Sequence, residues 1–132
     1  MSVEKRIIDI TEKYAIMCKK ANEYIKIEIK PNTLVYSKLK NSNEEPAVYI
    51  VTSQNMDNLV DPIRVFSQRE IERLIYEPGK TIANNFLDIA VWVKSLKDIH
   101  YLVIDSMEKL MLCYLMEKIY YRLWDGNNWV SE

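Results

Sequence analysis

The chain has 132 residues, of which 48% are hydrophobic and 28% are charged, and its formal net charge is −1. This length suits one domain with its own core, so we expect a single domain over residues 1–132. The longest apolar run is far shorter than the ~20 residues that cross a bilayer, and the N-terminus lacks the apolar stretch of a secretory signal. We therefore expect a cytoplasmic protein with no membrane contact.

Charge is distributed unevenly along the chain. Residues 1–44 carry 9 basic and 6 acidic side chains, whereas residues 45–132 carry 9 and 13. Any basic surface is therefore expected to be local and N-terminal. The chain is also rich in Ile, Lys, Tyr and Asn and has only 2 glycines, a bias typical of AT-rich genomes. A small accessory protein of a phage or an archaeal virus, acting in the host cytoplasm, fits this composition.

Apolar periodicity predicts the first two elements. From residue 2 to about residue 21, apolar side chains recur every three or four positions, which predicts an amphipathic helix. Residues 23–30, EYIKIEIK, then alternate between apolar and polar side chains. This period of two is typical of a half-buried strand, so we expect the first strand there.

Further strands are predicted in the segment that follows. The turn pair Pro31-Asn32 precedes a second strand at residues 33–40, and a third strand is expected at residues 47–53. Residues 54–62 have loop composition, and residues 63–66 form a short candidate fourth strand. Together these segments predict a small antiparallel meander of three to four strands.

Helices are predicted in the rest of the chain. Ser67 and Glu70 match a capping box, which predicts a helix at residues 68–76. Helical spacing of apolar residues predicts a second helix at residues 81–96. Residues 99–104 fit either a strand or another helical turn, because periodicity cannot decide so short a run.

A final helix is predicted at residues 106–124, with Asp105 at its start and Asp125-Gly126 at its end. Alternatively, residues 124–129, WDGNNW, form a type I′ hairpin that shortens this helix. The fold class is therefore α+β: an N-terminal helix, the small antiparallel sheet, and then two or three helices of which an apolar C-terminal helix is central.

The final helix contains the run LMLCYLM at residues 110–116, which is apolar around about two full turns. Such a helix must be covered on every side, and we expect the helices at residues 81–96 and 2–21 to cover it. If this cover is incomplete, aromatic residues near the C-terminus are expected to form an interface, most simply in a two-fold homodimer. The predicted interface residues are Tyr114, Tyr120, Tyr121, Trp124 and Trp129.

Motifs for catalysis or for cofactor binding are not found in the sequence. The 2 glycines leave no phosphate-binding loop, and His100 is the only histidine. Cys18 and Cys113 are far apart and lie in predicted helices, so we expect reduced core thiols rather than a disulfide or zinc ligands. Three loop residues are interpreted as turn and cap residues rather than as ligands: Asn55, Asp57 and Asp61. We therefore expect no catalytic residues, cofactor or metal, and predict a non-enzymatic protein-interaction module.

Two alternatives use nucleic acid as partner. Aromatic and basic side chains on the predicted sheet suit base stacking and phosphate binding; they are Tyr24, Lys26, Lys30, Tyr36, Lys38 and Lys40. The pair Glu28-x-Lys30 and the predicted element order resemble the core of restriction-type nucleases, which implies metal-dependent cleavage. The resemblance is incomplete, because that family places the pair on the third strand after a metal-binding Asp.

Overall fold

The computed structural model describes residues 11–76, 78–95 and 105–131. It confirms the α+β class, because an N-terminal helix is followed by a small antiparallel sheet and then by helices. Contacts along the backbone divide the chain into two compact units, Met1–Ser67 and Gln68–Glu132. None of the helices within the described ranges has both the length and the apolar character that a membrane span requires.

Helix α1, Glu12–Ile25, begins at Thr11, whose hydroxyl accepts a hydrogen bond from the amide of Tyr14. It ends at Lys26, which adopts a left-handed conformation with φ of 61°. The part of the predicted helix before residue 11 lies outside the described residues. One face of α1 is buried; it carries Tyr14, Ala15, Met17, Cys18 and Ala21.

The strand predicted at residues 23–30 is wrong, because this segment contains the last turn of α1 followed by a stretch without regular secondary structure. The side chain of Asn22 explains the difference. Its amide nitrogen donates to the carbonyl of Ile27 at 2.9 Å, and its amide oxygen accepts from the amide of Ile27 at 2.8 Å. The backbone groups that a strand partner would satisfy are thus satisfied locally. The predicted inward side chains Ile27 and Ile29 are nevertheless the half-buried ones.

The sheet of the first unit contains β1, Leu34–Leu39, β2, Ala47–Ile50, and β3, Leu59–Arg64, in the order β2-β1-β3. All neighbours are antiparallel. Strands β1 and β2 confirm the predicted second and third strands. Strand β3 starts before the predicted fourth strand and pairs with β1, so β1 is the central strand.

The loop predicted at residues 54–62 is therefore wrong from Leu59 onward. Asp61 and Pro62 are turn-forming residue types, but both lie within β3, which is an edge strand. An edge strand tolerates proline because its outer amide needs no partner. Asp61 also has a positive φ of 42°, which is a conformation that Asp adopts more readily than most residues.

Packing in the first unit joins the sheet to its neighbours. Val35, Val51 and Leu59 form a buried apolar cluster, and α1 contacts β3. The buried hydroxyl of Tyr14 donates a hydrogen bond to the carbonyl of Phe66. This bond joins α1 to the residues that follow β3, so the helix is fixed by a polar contact as well as by apolar packing.

The second unit begins with α2, Gln68–Ile75, and α3, Ile82–Ser95, both of which confirm the predicted helices. The hydroxyl of Thr81 accepts from the amide of Asn84, which satisfies one free amide at the start of α3. Residues 99–104, for which strand and helix were both open, lie outside the described residues.

Helix α4, Met107–Tyr120, starts one residue later than predicted. Its cap is Ser106, whose hydroxyl accepts from the amide of Lys109. Asp105 instead places its carboxylate 2.5 Å from the ammonium of Lys109. The helix ends before Tyr121, which is left-handed with φ of 56°, so the predicted end at Asp125-Gly126 is wrong.

The alternative of a C-terminal hairpin is confirmed. Strands β4, Arg122–Trp124, and β5, Trp129–Ser131, are antiparallel, with Trp124 opposite Trp129. The carboxylate of Asp125 accepts from the amides of residues 127 and 128 and so stabilises the turn. The turn is not of type I′, because Gly126 has a positive φ but Asn127 does not.

Candidate functional site

The apolar run of α4 is core. Its residues from Met111 to Met116 are all buried, as expected for a helix that is apolar on all sides. Both α2 and α3 contact α4; α3 was predicted to cover it and α2 was not. The other helix predicted to cover α4 was placed at residues 2–21, of which residues 2–10 lie outside the described residues.

Three of the five predicted interface residues are buried in the structure. Tyr114 is only 6% exposed, and its ring makes an edge contact with that of Trp92 at 5.3 Å between centroids. Trp124 and Trp129 are also buried, with their ring centroids 4.9 Å apart. These three side chains therefore pack inside the protein rather than presenting an interface. Tyr120 is half-buried, and Tyr121 is 67% exposed.

The most unusual surface of the second unit is on α3, and it was not identified from the sequence. Leu87 and Val91, one turn apart, are 60% and 61% exposed. They belong to a set of exposed apolar side chains on this helix, interrupted by the exposed Lys94, which we name the α3 apolar face: Ala83, Phe86, Leu87, Ala90, Val91 and Val93. At 100° per residue these positions cover roughly 160° of the helix circumference.

The opposite side of α3 is the one that packs, and it is more polar. Among the side chains that the structure describes on this side, Ile89 is buried, and its neighbours Asn85, Asp88 and Trp92 are half-buried. The indole nitrogen of Trp92 donates to the carboxylate of Glu117 on α4 at 3.0 Å. The usual amphipathic pattern is thus partly inverted in α3, since Asn85 and Asp88 are on the packed side while most apolar residues are exposed, together with Asn84 and Lys94.

A second polar contact lies on the packed side of α3. The ammonium of Lys80, which precedes the helix, lies 2.6 Å from the carboxylate of Asp88. Both side chains are partly exposed, so this ion pair contributes little to stability.

The proposed nucleic-acid residues do not share one sheet face. Of the six, only Tyr36 and Lys38 lie in a strand, and Lys40 follows it directly. Burial raises the pKa of Tyr36, and the carboxylates of Glu12 and Glu45 raise it further. Those carboxylates would repel a phosphate near this ring. The remaining three lie in α1, at its end and in the stretch after it; they are Tyr24, Lys26 and Lys30.

The structure does not support the residue pair proposed for a nuclease site. Glu28 and Lys30 lie in the irregular stretch after α1 and not on a strand. Within residues 11–76, 78–95 and 105–131, no three acidic, histidine or cysteine side chains are arranged to hold a metal ion. The side chain of Asn55 bonds to the backbone of Thr52 and Ile50, which confirms its interpretation as a turn residue.

The two cysteines are buried thiols, as predicted. Burial and, to a smaller extent, the carboxylate of Glu117 raise the pKa of Cys113 from 9.0 to about 12. The folded state therefore binds the thiol proton more tightly than the unfolded state, so stability is full below pH 9 and falls as pH rises toward 12.

We expect the free energy of unfolding to decrease by up to about 1.4 kcal/mol per pH unit in this range because of Cys113 alone. Urea denaturation at pH 7 to 10.5 measures this slope, and Cys113→Ala is expected to remove the contribution of Cys113. Parallel pH profiles for the native chain and Cys113→Ala would contradict the assignment.

The α3 apolar face is thus the surface of the described residues whose exposure most requires an explanation. Large apolar side chains scattered singly on a surface are ordinary, but a contiguous set on one helix is typical of an interface. No protein-family model, no curated protein and no solved structure matches this chain.

Proposed function

We propose that the chain is a non-enzymatic protein-interaction module that forms a homodimer through the α3 apolar face. The observation that supports this proposal is the exposure of Leu87 and Val91 on a helix whose packed side carries Asn85 and Asp88. Exposed apolar surface raises the free energy of the isolated chain, and burial in an interface recovers about 25 cal/mol per Å².

A second copy of the chain is the simplest occupant of this face. In a two-fold dimer the same face is used twice, so an apolar surface is always presented to another apolar surface. Ala83 and Ala90 lie between the larger side chains of the face. Small residues at such positions let the large side chains of a facing helix enter, as in ridges-into-grooves packing.

The double variant Leu87→Lys/Val91→Lys is expected to dissociate the dimer. The two substitutions place charges at the centre of the proposed interface, where each would lose its hydration without gaining a partner. Sedimentation velocity at tens of micromolar should show the native chain as a dimer and the double variant at the monomer mass of 15.7 kDa.

The matched control is Ile50→Lys/Val60→Lys, which also replaces two exposed apolar residues, but on the edge strands of the first unit. This variant is expected to remain a dimer. A native chain that sediments as a monomer, or a double α3 variant that stays dimeric with its far-UV circular dichroism unchanged, would contradict the proposal.

We also propose that the protein functions in a reducing compartment such as the cytoplasm. Cys18 and Cys113 are both reduced thiols within the core. Cytoplasmic proteins ordinarily keep their cysteines in this state, whereas small secreted domains use them in disulfides.

A further inference from the structure

A groove of about 380 Å³ lies between α2 and α3 in the second unit. Ile75 and Ile89, both buried, lie at its base, while the aromatic rings of Tyr76 and Phe86 are exposed. This volume is within the range of about 300 to 1,000 Å³ that is typical of small-molecule sites. The apolar and aromatic lining suits the hydrocarbon part of a ligand.

Two arginines on α2 also line the groove. Arg69 and Arg73 are four residues apart, so they lie on the same side of the helix one turn from each other. Both are exposed, and neither forms an ion pair or a hydrogen bond with any part of the chain that the structure describes. Their guanidinium groups are therefore available for an external anion.

The charge of the groove limits the anion that it suits. Glu72 also lines the groove, between the two arginines in sequence, so the three ionised side chains have a net charge of +1. A polyphosphate would experience repulsion from Glu72, whereas a single carboxylate is balanced by the net charge. Arginine suits this role because its planar guanidinium binds a carboxylate through two parallel hydrogen bonds.

We propose that the groove between α2 and α3 is a binding site for a small organic monoanion, in which a carboxylate contacts Arg69 and Arg73 and an apolar body packs between Tyr76 and Phe86. Fatty acids and aromatic carboxylic acids share this chemistry. Phe86 belongs both to the groove and to the α3 apolar face, whereas Leu87 and Val91 do not line the groove, so the Leu87→Lys/Val91→Lys variant tests the site separately from the dimer.

The test compares two probes with the same apolar body, 2-naphthylacetate and the neutral alcohol 2-naphthaleneethanol, titrated into the 15N-labelled full-length chain at low salt. We expect the carboxylate to bind at least ten times more tightly than the alcohol, with amide shifts in α2 and α3. The same titration with octanoate distinguishes an aliphatic ligand from an aromatic one, and binding of either carboxylate supports the proposal.

The double variant Arg69→Gln/Arg73→Gln is expected to reduce the affinity for the carboxylate about tenfold and to make the two naphthyl probes bind equally. Lys118→Gln is the matched control, since Lys118 is an exposed cation of the same unit that does not line the groove; it should retain the preference. Equal binding of both naphthyl probes to the native chain, no binding of either carboxylate, or carboxylate affinity unaffected by the double variant would overturn the proposal. The titrations are repeated with Leu87→Lys/Val91→Lys, so that a result does not depend on self-association.

Discussion

Replacement of Leu112 by Ala is expected to lower the free energy of unfolding by about 2 to 5 kcal/mol. Leu112 is fully buried near the middle of α4, and the residues on both sides of it along the helix are buried as well. The loss has two parts, the transfer free energy of the removed methyl groups and the cavity that remains when the neighbours cannot close around it. Because α4 is surrounded by packed side chains, little relaxation is expected.

Urea denaturation measures this difference, and Ile119→Ala on the same helix is the control. Ile119 is 45% exposed, so its truncation removes a comparable apolar side chain with much less loss of burial, and we expect it to cost less than about 1 kcal/mol. Both variants introduce the same helix-favouring residue, so their difference reports burial rather than helix propensity. Equal losses for the two variants would show that the centre of α4 is not a close-packed core.

The second large effect is expected for Trp124→Ala, which should lower the free energy of unfolding by about 3 to 5 kcal/mol. Trp124 and Trp129 are opposite each other in the C-terminal hairpin, with their ring planes inclined at 57°. A hairpin of two short strands has little stability of its own. We therefore expect the contact between the two indoles, together with their burial, to hold β4 against β5.

A double-mutant cycle with Trp129→Ala measures the coupling between the rings, which we expect to be about 0.5 to 1.5 kcal/mol. Val130→Ala is the control in the same strand, because Val130 follows Trp129 but is exposed. Its truncation should change stability by less than about 1 kcal/mol. A coupling energy near zero would mean that each ring is stabilised by other neighbours.

The periodicity of apolar residues in the sequence correctly predicts four regular elements. Helices α2 and α3 and strands β1 and β2 all lie within two to three residues of their predicted bounds. In each of them, a regular spacing of apolar residues coincides with clear start or stop signals. The C-terminal hairpin was recognised as an alternative because Asp125 and Gly126 are typical turn residues.

The remaining differences arise from interactions that periodicity does not encode. Residues 23–30 have the alternation of a strand, but a single side chain, Asn22, satisfies the backbone of Ile27 and replaces a strand partner. The first part of strand β3 is not predicted because Asp61 and Pro62 are residue types that favour loops. The strand accommodates them because it lies at the edge of the sheet. Whether such a segment forms a strand therefore depends on the residues that contact it in the folded protein.

The candidate sites were less predictable than the fold. The spacing of apolar residues in α3 identifies a helix but does not show which side packs. In the structure, the packed side is the one on which Ile89 is buried and Trp92 donates to Glu117 of α4. Likewise, Arg69 and Arg73 resemble ordinary surface residues until the structure places α3 beside them. A lone Trp and Asp among the apolar residues of α3 was the available signal for its partly inverted pattern.

Lys26 and Tyr121, the left-handed residues that end α1 and α4, have a consequence for motion. A left-handed conformation costs roughly 1 to 2 kcal/mol for residues other than glycine. Unwinding of the last helical turn releases this cost, so that turn opens with a smaller free-energy change than the middle of the helix. Among the hydrogen-bonded amides of α1 and α4, those of the last turns are therefore expected to exchange with solvent before those of the helix centres, and the centre of α4 is expected to exchange only when the surrounding core opens.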